Sequence, residues 1–517
     1  MNIKMKQIGL LLLLLITTSL QAQIQKISEL SQNKFLDAEI IYEENGEDVW
    51  GYFLLYKADM VSRDFLKLEY IILDKNLNKV GSNTFNQDCY DSWLVDIMPT
   101  INSVYKNKNE LLFAIGFDYD EMYTKSPYAF RKINLNDFSI GNSFMFIDNK
   151  LIEDNKIMDR LIAEKKEPAY FSPIKNHGFL SVDSKNVKYR SRENSITFSK
   201  QNKNLIGYSY FDLNFNKLWT FAFIPNEKTS ETHLCLNSNS DVVVFYNEYK
   251  GKTYDNLNNK FYKVVDIKNG NELALIPLND DKYIYQCSKM VFDNDKIIFF
   301  DKIYEKNKKG YIYSDKCLGY SKRVYDIKNN SVIDQKFLFW ENISKFKEIT
   351  KYGKVNMWDY IQFLDFKITS DGKTLIIGEG YEPAGTTKIK NLYTLELDSE
   401  FNLTNFQEIL KNVNKYAEPN LWGETLDNYN LFDFMYSQKI KNDEFIYFYQ
   451  DNEKGKKNKI WTLGAIVYAD GKFSNQKIDL KTENGIINPI KAKKGYIILQ
   501  EVNDRGENTI RLEKIDY

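Results

Sequence analysis

The sequence has few of the side chains on which metal binding and nucleophilic catalysis usually depend. Its 517 residues include only 2 histidines, His177 and His233, which excludes a histidine-rich metal centre. The spacing of its 4 cysteines fits no zinc-binding pattern such as C-x2-C: Cys89, Cys235, Cys287 and Cys317. These cysteines allow three full disulfide pairings, with unpaired buried thiols as the alternative. We therefore predict neither a metal site nor a cofactor.

Recognised catalytic motifs and an excess of charge are also missing. The chain contains no G-x-S-x-G, no H-E-x-x-H and no complete P-loop. Its 70 Lys and Arg residues nearly balance 71 Asp and Glu residues, giving a formal charge of −1. A near-neutral chain exerts no general attraction on nucleic acid, so we expect no nucleic-acid partner.

Long apolar runs are lacking except at the N-terminus. Lys4 and Lys6 precede the apolar run Ile8–Leu20, and the small residue Ala22 follows it. This pattern is typical of a secretory signal peptide. About 13 apolar residues are too few for the roughly 20 that a membrane-spanning helix needs. We predict a signal peptide at residues 1–22 and a mature domain at 23–517, exported to the periplasm or the exterior, with no lipid-anchor cysteine and no later membrane span.

Aromatic residues, by contrast, are abundant. The chain has 36 Tyr, 34 Phe and 7 Trp, which together make up 15% of its residues. This content excludes a disordered chain, since disordered sequences are poor in aromatics. Glycine (24) and proline (9) are scarce, so most turns must be made by Asn and Asp.

An internal repeat organises the sequence. A short apolar run rich in Ile, Val, Phe and Tyr recurs about every 64 residues. Its copies are Gly51–Lys57, Leu111–Asp118, Val242–Asn247, Ile297–Asp301, Leu375–Glu379, Phe445–Gln450 and Tyr496–Glu501, with a weaker copy near Gly178–Val182. Each is preceded by a strand and a tight turn, and is followed by a second apolar strand, an Asp or Asn turn and a further strand.

Four strands per unit predict an all-β fold, a single β-propeller of about eight four-stranded blades. Seven blades are the runner-up if the copy near Gly178–Val182 is irregular, and separate β-sandwiches are a further alternative. The last unit supplies only three strands, so we expect Ile24–Leu30 to provide the fourth and close the ring.

Two short segments resemble known propellers. Ser370–Leu375 (SDGKTL) resembles the blade motif of Tol-associated and WD-like bacterial propellers. The Asp212–Trp219 hairpin is similar to the Asp-box turn of sialidase propellers. These resemblances imply the fold alone, because neither segment carries a functional residue of those families. Asp212, Asn214 and Asn216 also mimic the start of a calcium loop, but we interpret them as a plain hairpin.

Three insertions define a candidate binding face. In a propeller, the loops between strands 2 and 3 and the connections between blades open on the same face, which we call the inserted face. The insertions are Asn149–Glu167 and Glu341–Tyr352, both expected to contain a helix, and Asn412–Asn430. Aromatic residues in or near them are candidates for stacking on a ligand, with core packing as the alternative: Trp340, Trp358, Tyr381, Tyr416 and Trp422.

Two functional hypotheses follow. The first is an exported, non-enzymatic binding propeller whose partner on the inserted face is a protein or a polysaccharide. The alternative is a carboxylate-dependent, glycan-active enzyme that uses the central funnel and needs two acids about 5–10 Å apart. The absence of catalytic motifs favours the first. Oligomeric state and ligand identity are not predicted.

Overall fold

The chain folds into eight consecutive antiparallel β-sheets that form the blades of one β-propeller. The computed structural model describes residues 24–91, 96–118, 129–147, 150–153, 171–174, 177–183, 195–197, 206–223, 230–250, 260–306, 315–355, 358–383, 385–419, 421–454, 459–480, 485–503 and 508–515. The predicted all-β propeller of eight blades is confirmed. The seven-bladed ring and the separate sandwiches were wrong alternatives, because the copy near Gly178–Val182 forms the second strand of a complete blade.

The first four blades follow an N-terminal strand and a helical turn, β1 (Ile24–Lys26) and α1 (Ile27–Leu30). Blade 1 consists of β2 (Lys34–Tyr42), β3 (Val49–Ser62), β4 (Phe65–Asp74) and β5 (Lys79–Asp88). Blade 2 consists of β6 (Tyr90–Asp91), β7 (Asp96–Asn107), β8 (Glu110–Asp118), β9 (Ala129–Asn134), β10 (Phe144–Ile147) and β11 (Lys150–Glu153). Blade 3 consists of β12 (Phe171–Ile174), β13 (Gly178–Asp183), β15 (Ile206–Asp212) and β16 (Lys217–Phe223), while β14 (Ser195–Thr197) joins the next sheet. Blade 4 consists of β17 (Ser230–Ser238), β18 (Val242–Lys250), β19 (Lys260–Asp266) and β20 (Glu272–Pro277).

The other four blades complete the ring. Blade 5 consists of β21 (Tyr283–Asp293), β22 (Lys296–Glu305), β23 (Gly319–Asp326) and β24 (Ser331–Phe339), followed by α2 (Trp340–Ile343). Blade 6 consists of β25 (Lys354–Val355), β26 (Asp359–Ile368), β27 (Thr374–Glu382), β28 (Thr386–Leu397), β29 (Leu403–Ile409) and β30 (Asn414–Pro419), followed by α3 (Gly423–Asn428). Blade 7 consists of β31 (Phe434–Lys441), β32 (Glu444–Lys454), β33 (Lys459–Ala469) and β34 (Lys472–Leu480). Blade 8 consists of β35 (Gly485–Lys491), β36 (Tyr496–Asn503), β37 (Asn508–Lys514) and β1.

The recurrent apolar run of the sequence is the second strand of each blade. Such a strand is covered by neighbouring blades on both faces, so both sets of alternating side chains are apolar. In β3, Phe53 and Leu55 pack toward blade 2, whereas Tyr52 and Leu54 pack toward blade 8. The predicted positions of these eight strands are therefore confirmed.

Apolar packing between neighbouring blades holds the ring together. Eight buried clusters each join two adjacent blades, and one of them joins blade 8 to blade 1. Aromatic side chains contribute heavily to these clusters. Phe300 of blade 5 stacks on Phe366 of blade 6, with ring centroids 4.4 Å apart. Core packing thus accounts for many of the Tyr and Phe residues.

Asp turns between strands 3 and 4 direct an apolar residue back into these clusters. In the turn after β4, the Asp74 carboxylate accepts hydrogen bonds from the backbone of Asn76 and Asn78, at 2.8 and 2.9 Å. Leu77 takes a left-handed backbone conformation there and packs, fully buried, between blades 8 and 1. Equivalent turns place Phe215 and Phe401 between blades in the same way. These turns explain how a glycine-poor chain reverses so often.

The N-terminal strand closes the ring, as predicted. β1 pairs antiparallel with β37, with Gln25 opposite Ile510. Blade 8 therefore takes three strands from the end of the chain and one from its beginning. Closure of this kind leaves no gap between the first and last blades.

The inter-blade connections carry the helices of the described residues, in accordance with the prediction of short helical insertions on one face. α2 begins at Trp340, one residue before the predicted insertion at 341–352, and ends within it, while α3 lies in that at 412–430. The expected helix in 149–167 was wrong at its start, since Lys150–Glu153 is strand β11, and residues 154–167 lie outside the described residues. Among the described residues, Cys287 and Cys317 form no disulfide bond.

A buried ionic cluster lies between blades 6 and 7. The Lys411 ammonium is 3.0 Å from a carboxylate oxygen of Glu379 and also contacts Asp433. The backbone N–H of Phe434 donates to the other Glu379 oxygen at 3.0 Å, and the Asn414 amide donates to Asp433. Two buried carboxyl groups share one ammonium, so one of them favours its neutral form. Burial raises the pKa of Glu379 to about 8, and burial also raises the pKa of Asp433.

This cluster predicts a pH dependence of stability. The pKa of Glu379 is about 8 in the folded protein against an ordinary 4.5, so the folded state keeps a proton that the unfolded state has lost. The free energy of unfolding should therefore fall as the pH rises between those two values. Urea denaturation at several pH values should show a shallower fall for Glu379→Gln. The exposed Glu341→Gln variant should keep the wild-type dependence; an unchanged slope in Glu379→Gln would contradict this assignment.

The inter-blade stack predicts the cost of losing one ring. Phe300 is fully buried, so Phe300→Ala should lower the free energy of unfolding by about 3–5 kcal/mol. Phe346→Ala removes the same side chain from a position that is 49% exposed, and should change stability by less than about 0.5 kcal/mol. Equal losses in the two variants, measured by urea denaturation, would show that blade packing at Phe300 does not stabilise the ring.

Candidate functional site

A central cavity of about 860 Å³ is the candidate site of this propeller. First strands β26 and β31 form its wall, together with the turns that follow β2 and β35. Turns between strands 1 and 2 lie on the face opposite to the inserted face, so the mouth of the cavity opens there. The volume is in the range of sites for small ligands, about 300–1,000 Å³.

The cavity lining is strongly charged and richer in bases than in acids. Its described residues include seven lysines: Lys75, Lys289, Lys367, Lys439, Lys491, Lys493 and Lys494. Its five acids are Glu43, Glu47, Asp48, Asp365 and Asp427. The lining therefore carries a small net positive charge near neutral pH.

Three of these lysines occupy equivalent positions in consecutive blades, and we call them the lysine row. Lys367, Lys439 and Lys491 lie at or near the end of the first strand in blades 6, 7 and 8. Each is directly opposite the second residue of the neighbouring strand, in turn Leu375, Phe445 and Ile497. The repeat of the backbone therefore places one ammonium group from each of these three blades along the mouth.

Lys491 is the most constrained member of the row. Its ammonium lies 5.0 Å from the centroid of the Tyr42 ring, close enough for a cation–π contact. Burial lowers the pKa of Lys491, and the charge of Lys367 lowers it further, while Glu47 and Asp48 oppose the shift. Positive charge is thus concentrated on the side of the mouth formed by blades 6 to 8.

The turn after β35 adds further lysines beside the lysine row. We call the lysine row together with Lys75, Lys493 and Lys494 the basic rim. Lys493 donates to the Asn76 side-chain oxygen at 2.6 Å and lies 4.1 Å from the Tyr496 ring centroid. Burial and the nearby charge of Lys75 lower the pKa of Lys493. Lys494 is neutralised by Asp48, whose carboxylate is 3.0 Å away.

Acidic groups lie deeper in the cavity. Asp365 is buried and accepts a hydrogen bond from the Ser437 hydroxyl at 2.6 Å. Its two oxygens also lie 3.7 Å from the Lys289 ammonium and 3.4 Å from that of Lys367. Burial raises the pKa of Asp427, and Lys289 opposes this shift. The inner part of the cavity therefore offers hydrogen-bond acceptors.

The insertion that contains α3 forms the inner end of the cavity, through Asp427, Asn430 and Phe432. The Gly423 N–H donates to the Asp315 carboxylate at 3.0 Å, and the Gln286 amide donates to Glu424 at 2.6 Å. An insertion on one face thus contributes the floor of a cavity that opens on the other.

The five predicted ligand-stacking residues have very different surroundings. Trp340 and Tyr381 are each only 1% exposed, so neither ring offers a face to a ligand in this structure. The Trp340 N–H donates to the Cys317 carbonyl at 3.0 Å, and Tyr381 stacks on Tyr360. Their burial favours the core-packing alternative for these two residues.

Trp358 and Trp422 are instead 56% and 52% exposed. They flank the buried pair Tyr360 and Tyr381: Trp358 precedes β26, and Trp422 precedes Gly423, which packs tightly against the Tyr381 hydroxyl. The side chain of Tyr416 lies outside the described residues. We call Trp358 and Trp422, with the exposed Tyr429 of the same insertion, the aromatic rim.

The sequence did not lead us to the lysine row, although a signal for it was present. A lysine near the end of a strand normally indicates a solvated turn. Comparison of the three units ending at Lys367, Lys439 and Lys491 would have shown the same residue type at the same register.

Within the part of the chain that the structure describes, no cluster of three or more His, Cys, Asp or Glu side chains could hold a metal ion.

Comparisons with known proteins match this chain to one family and to several solved structures of low similarity. A family model described as "Family of unknown function (DUF6770)" matches residues 3–388 and 382–516. Among solved structures, the chain is similar to the WD40 domain of SCAP from fission yeast (9% identity, TM-score 0.33), covering 95% of this chain and 98% of that chain. It is also similar to prolyl oligopeptidase B from Galerina marginata (8% identity, TM-score 0.34), covering 90% of this chain and 55% of that chain. An alpha-L-arabinanase of Penicillium chrysogenum, complexed with arabinobiose, matches at 7% identity and a TM-score of 0.30, covering 66% of this chain and 92% of that chain. No curated protein matches the chain. We draw no functional argument from structural similarities of this size.

Proposed function

The chain belongs to DUF6770, a family of unknown function, and we propose that it is an exported, non-enzymatic binding protein that holds a polysaccharide on its inserted face. The observation that carries this proposal is the aromatic rim. Two tryptophans remain more than half exposed, although most of the aromatic rings that the structure describes are buried. Large exposed rings on a rigid scaffold are typical of binding surfaces.

The rim is held in place by the core of blade 6. Gly423 fixes the start of α3, since an added Cβ there would lie 2.6 Å from the Tyr381 hydroxyl oxygen. Tyr381 in turn contacts Phe432 and Tyr360, with ring centroids 5.8 and 5.9 Å away. Trp422 therefore extends from a constrained backbone, which lowers the entropy lost when a ligand binds.

Charged side chains around the rim favour a carbohydrate over a protein partner. The Lys354 ammonium is 5.9 Å from the Trp358 ring centroid. Lys390 pairs with both Asp359 and Glu382, the latter at 2.8 Å. A sugar presents C–H faces to aromatic rings and hydroxyl groups to neighbouring ions, so it can use both kinds of group. A protein interface core would instead be depleted of such charges.

Export is the second part of the proposal. It rests on the N-terminal leader pattern, since residues 1–23 lie outside the described residues. Among the described residues, no helix is both long and apolar enough to cross a membrane. An exported propeller would meet the polysaccharides of the cell exterior directly.

The enzymatic alternative receives less support from the cavity. Asp365 and Asp427 both lie near Lys289 and are the candidates for a pair of catalytic carboxylates. However, both oxygens of Asp365 are already engaged, one by Lys289 and the other by Ser437 and Lys367. A carboxylate held in this way is a poor nucleophile or base. We therefore favour binding over hydrolysis.

The aromatic rim predicts which substitutions weaken binding. A glycan array probed with residues 23–517 would identify a polysaccharide ligand, and calorimetry would give its affinity. Trp358→Ala and Trp422→Ala should each weaken that affinity about tenfold, the equivalent of about 1.4 kcal/mol of lost ring stacking. The matched control is Phe346→Ala, which removes an exposed ring that contacts Phe406 on the outer strand β29. Unchanged affinity in both tryptophan variants, or equal weakening in the control, would contradict the proposal.

A further inference from the structure

We propose that the mouth of the central cavity is a second binding site, which takes the carboxylate or sulfate group of an acidic saccharide. The lysine row binds this anionic group. The deeper acids, Asp365 and Asp427, accept hydrogen bonds from hydroxyl groups of the same saccharide. This site opens on the face opposite to the aromatic rim. It therefore does not depend on the function proposed for the inserted face.

The first argument is the geometry of the lysine row. A propeller repeats its backbone from blade to blade, so equivalent residues of adjacent blades point to the same region near the axis. Lys367, Lys439 and Lys491 share one register position, and all three line the cavity. Three ammonium groups thus converge from consecutive blades on one side of the mouth.

The second argument is that this positive charge is only partly neutralised. Among the described residues, neither Lys439 nor Lys491 forms an ion pair with a carboxylate, and the Lys367 partner, Asp365, is shared with Lys289. Blade 1 brings Glu47 and Asp48 close to Lys491, but Asp48 already pairs with Lys494. An oxyanion placed at the row would supply the missing counter-charge.

Repulsion within the basic rim gives a third argument. Burial has the largest effect on both lysines and lowers the pKa of each. Lys367 lowers the pKa of Lys491 against the opposing effects of Glu47 and Asp48, and Lys75 lowers that of Lys493 against the effect of Asp74. Such like-charge contacts are unfavourable in the unliganded protein. A bound anion would relieve them, so part of its binding free energy comes from removing this repulsion.

The interior of the cavity limits how an acidic ligand can enter. Asp365 lies between the mouth and the inner end, and Asp427 lies at the inner end in the α3 insertion. Both acids repel anionic groups inside the cavity, so the carboxylates of a ligand stay at the mouth. Together with the Ser437 hydroxyl, the two acids can instead accept hydrogen bonds from sugar hydroxyls. A cavity of about 860 Å³ has room for a short saccharide that presents its charged groups at the mouth.

The test compares acidic, neutral and inorganic probes by calorimetry on residues 23–517. We expect trigalacturonate to bind, and its affinity to fall as salt is raised, while neutral galactotriose binds at least tenfold more weakly. Lys439→Gln with Lys491→Gln should weaken trigalacturonate binding at least tenfold. The exposed Lys439→Gln alone, which breaks no ion pair among the described residues, should weaken it several-fold even if the double variant fails to fold.

The matched control is Lys79→Gln with Lys472→Gln, which removes the same charge from exposed positions on outer strands of the same face. It should leave trigalacturonate affinity within twofold of wild type. If the control variant loses as much affinity as the test variant, net charge alone explains the loss and the proposed site is wrong. If trigalacturonate does not bind at all, the proposed site is also wrong. If inorganic sulfate binds as tightly and with the same sensitivity to Lys439→Gln, the saccharide assignment is wrong. Because none of these variants touches Trp358 or Trp422, failure here and failure at the aromatic rim are separately visible.

Discussion

Apolar packing between neighbouring blades is the constraint on which the rest of this structure depends. Each second strand is covered on both faces, and the cluster that joins blade 8 to blade 1 completes the circle. The Asp turns add to this packing, because they send residues such as Leu77 and Phe401 back between the blades. A closed ring fixes the first strands around an axis, and only such a fixed arrangement can place side chains of different blades at equivalent positions. The cavity and its lysines are therefore consequences of ring closure.

The fold could be predicted from the sequence because its determinants are local or periodic. Apolar runs about 64 residues apart gave the second strands, Asp and Asn turns gave the outer hairpins, and the incomplete last unit indicated closure by the N-terminal strand. The one expected helix that proved to be strand, at Lys150–Glu153, has only two apolar residues, Leu151 and Ile152, and they are adjacent. A segment this short shows neither helical nor strand periodicity, so its sequence does not separate helix from strand.

The candidate sites were less predictable, because exposure depends on which blade covers a side chain. Trp340 and Trp422 lie in or beside similar insertions, yet Trp340 is buried against Phe363 whereas Trp422 is half exposed. Nothing in their local sequence separates the two. Lys491 is equally ambiguous, since a lysine at the end of a strand is usually solvated. Only the register shared with Lys367 and Lys439 gives it a role.

The two faces of the propeller differ in chemistry, and the α3 insertion links them. On the inserted face this segment carries Trp422 and Tyr429, while its Asp427 and Phe432 form the inner end of the cavity. Contacts of the segment with Asp315, Gln286 and Tyr381 anchor it to blades 5 and 6. A stacking surface and a basic, hydroxyl-accepting cavity on one rigid ring are consistent with recognition of saccharides from both sides.

Hydrogen–deuterium exchange of residues 23–517, with and without an acidic polysaccharide, tests most directly the claim that the ring is a saccharide-binding scaffold. The account predicts slower amide exchange at 421–432 on the inserted face and at 43–48 and 491–495 around the cavity mouth. Exchange at the outer strands β20 and β24 should stay unchanged. Protection confined to those outer strands, or none in the presence of saturating polysaccharide, would contradict it.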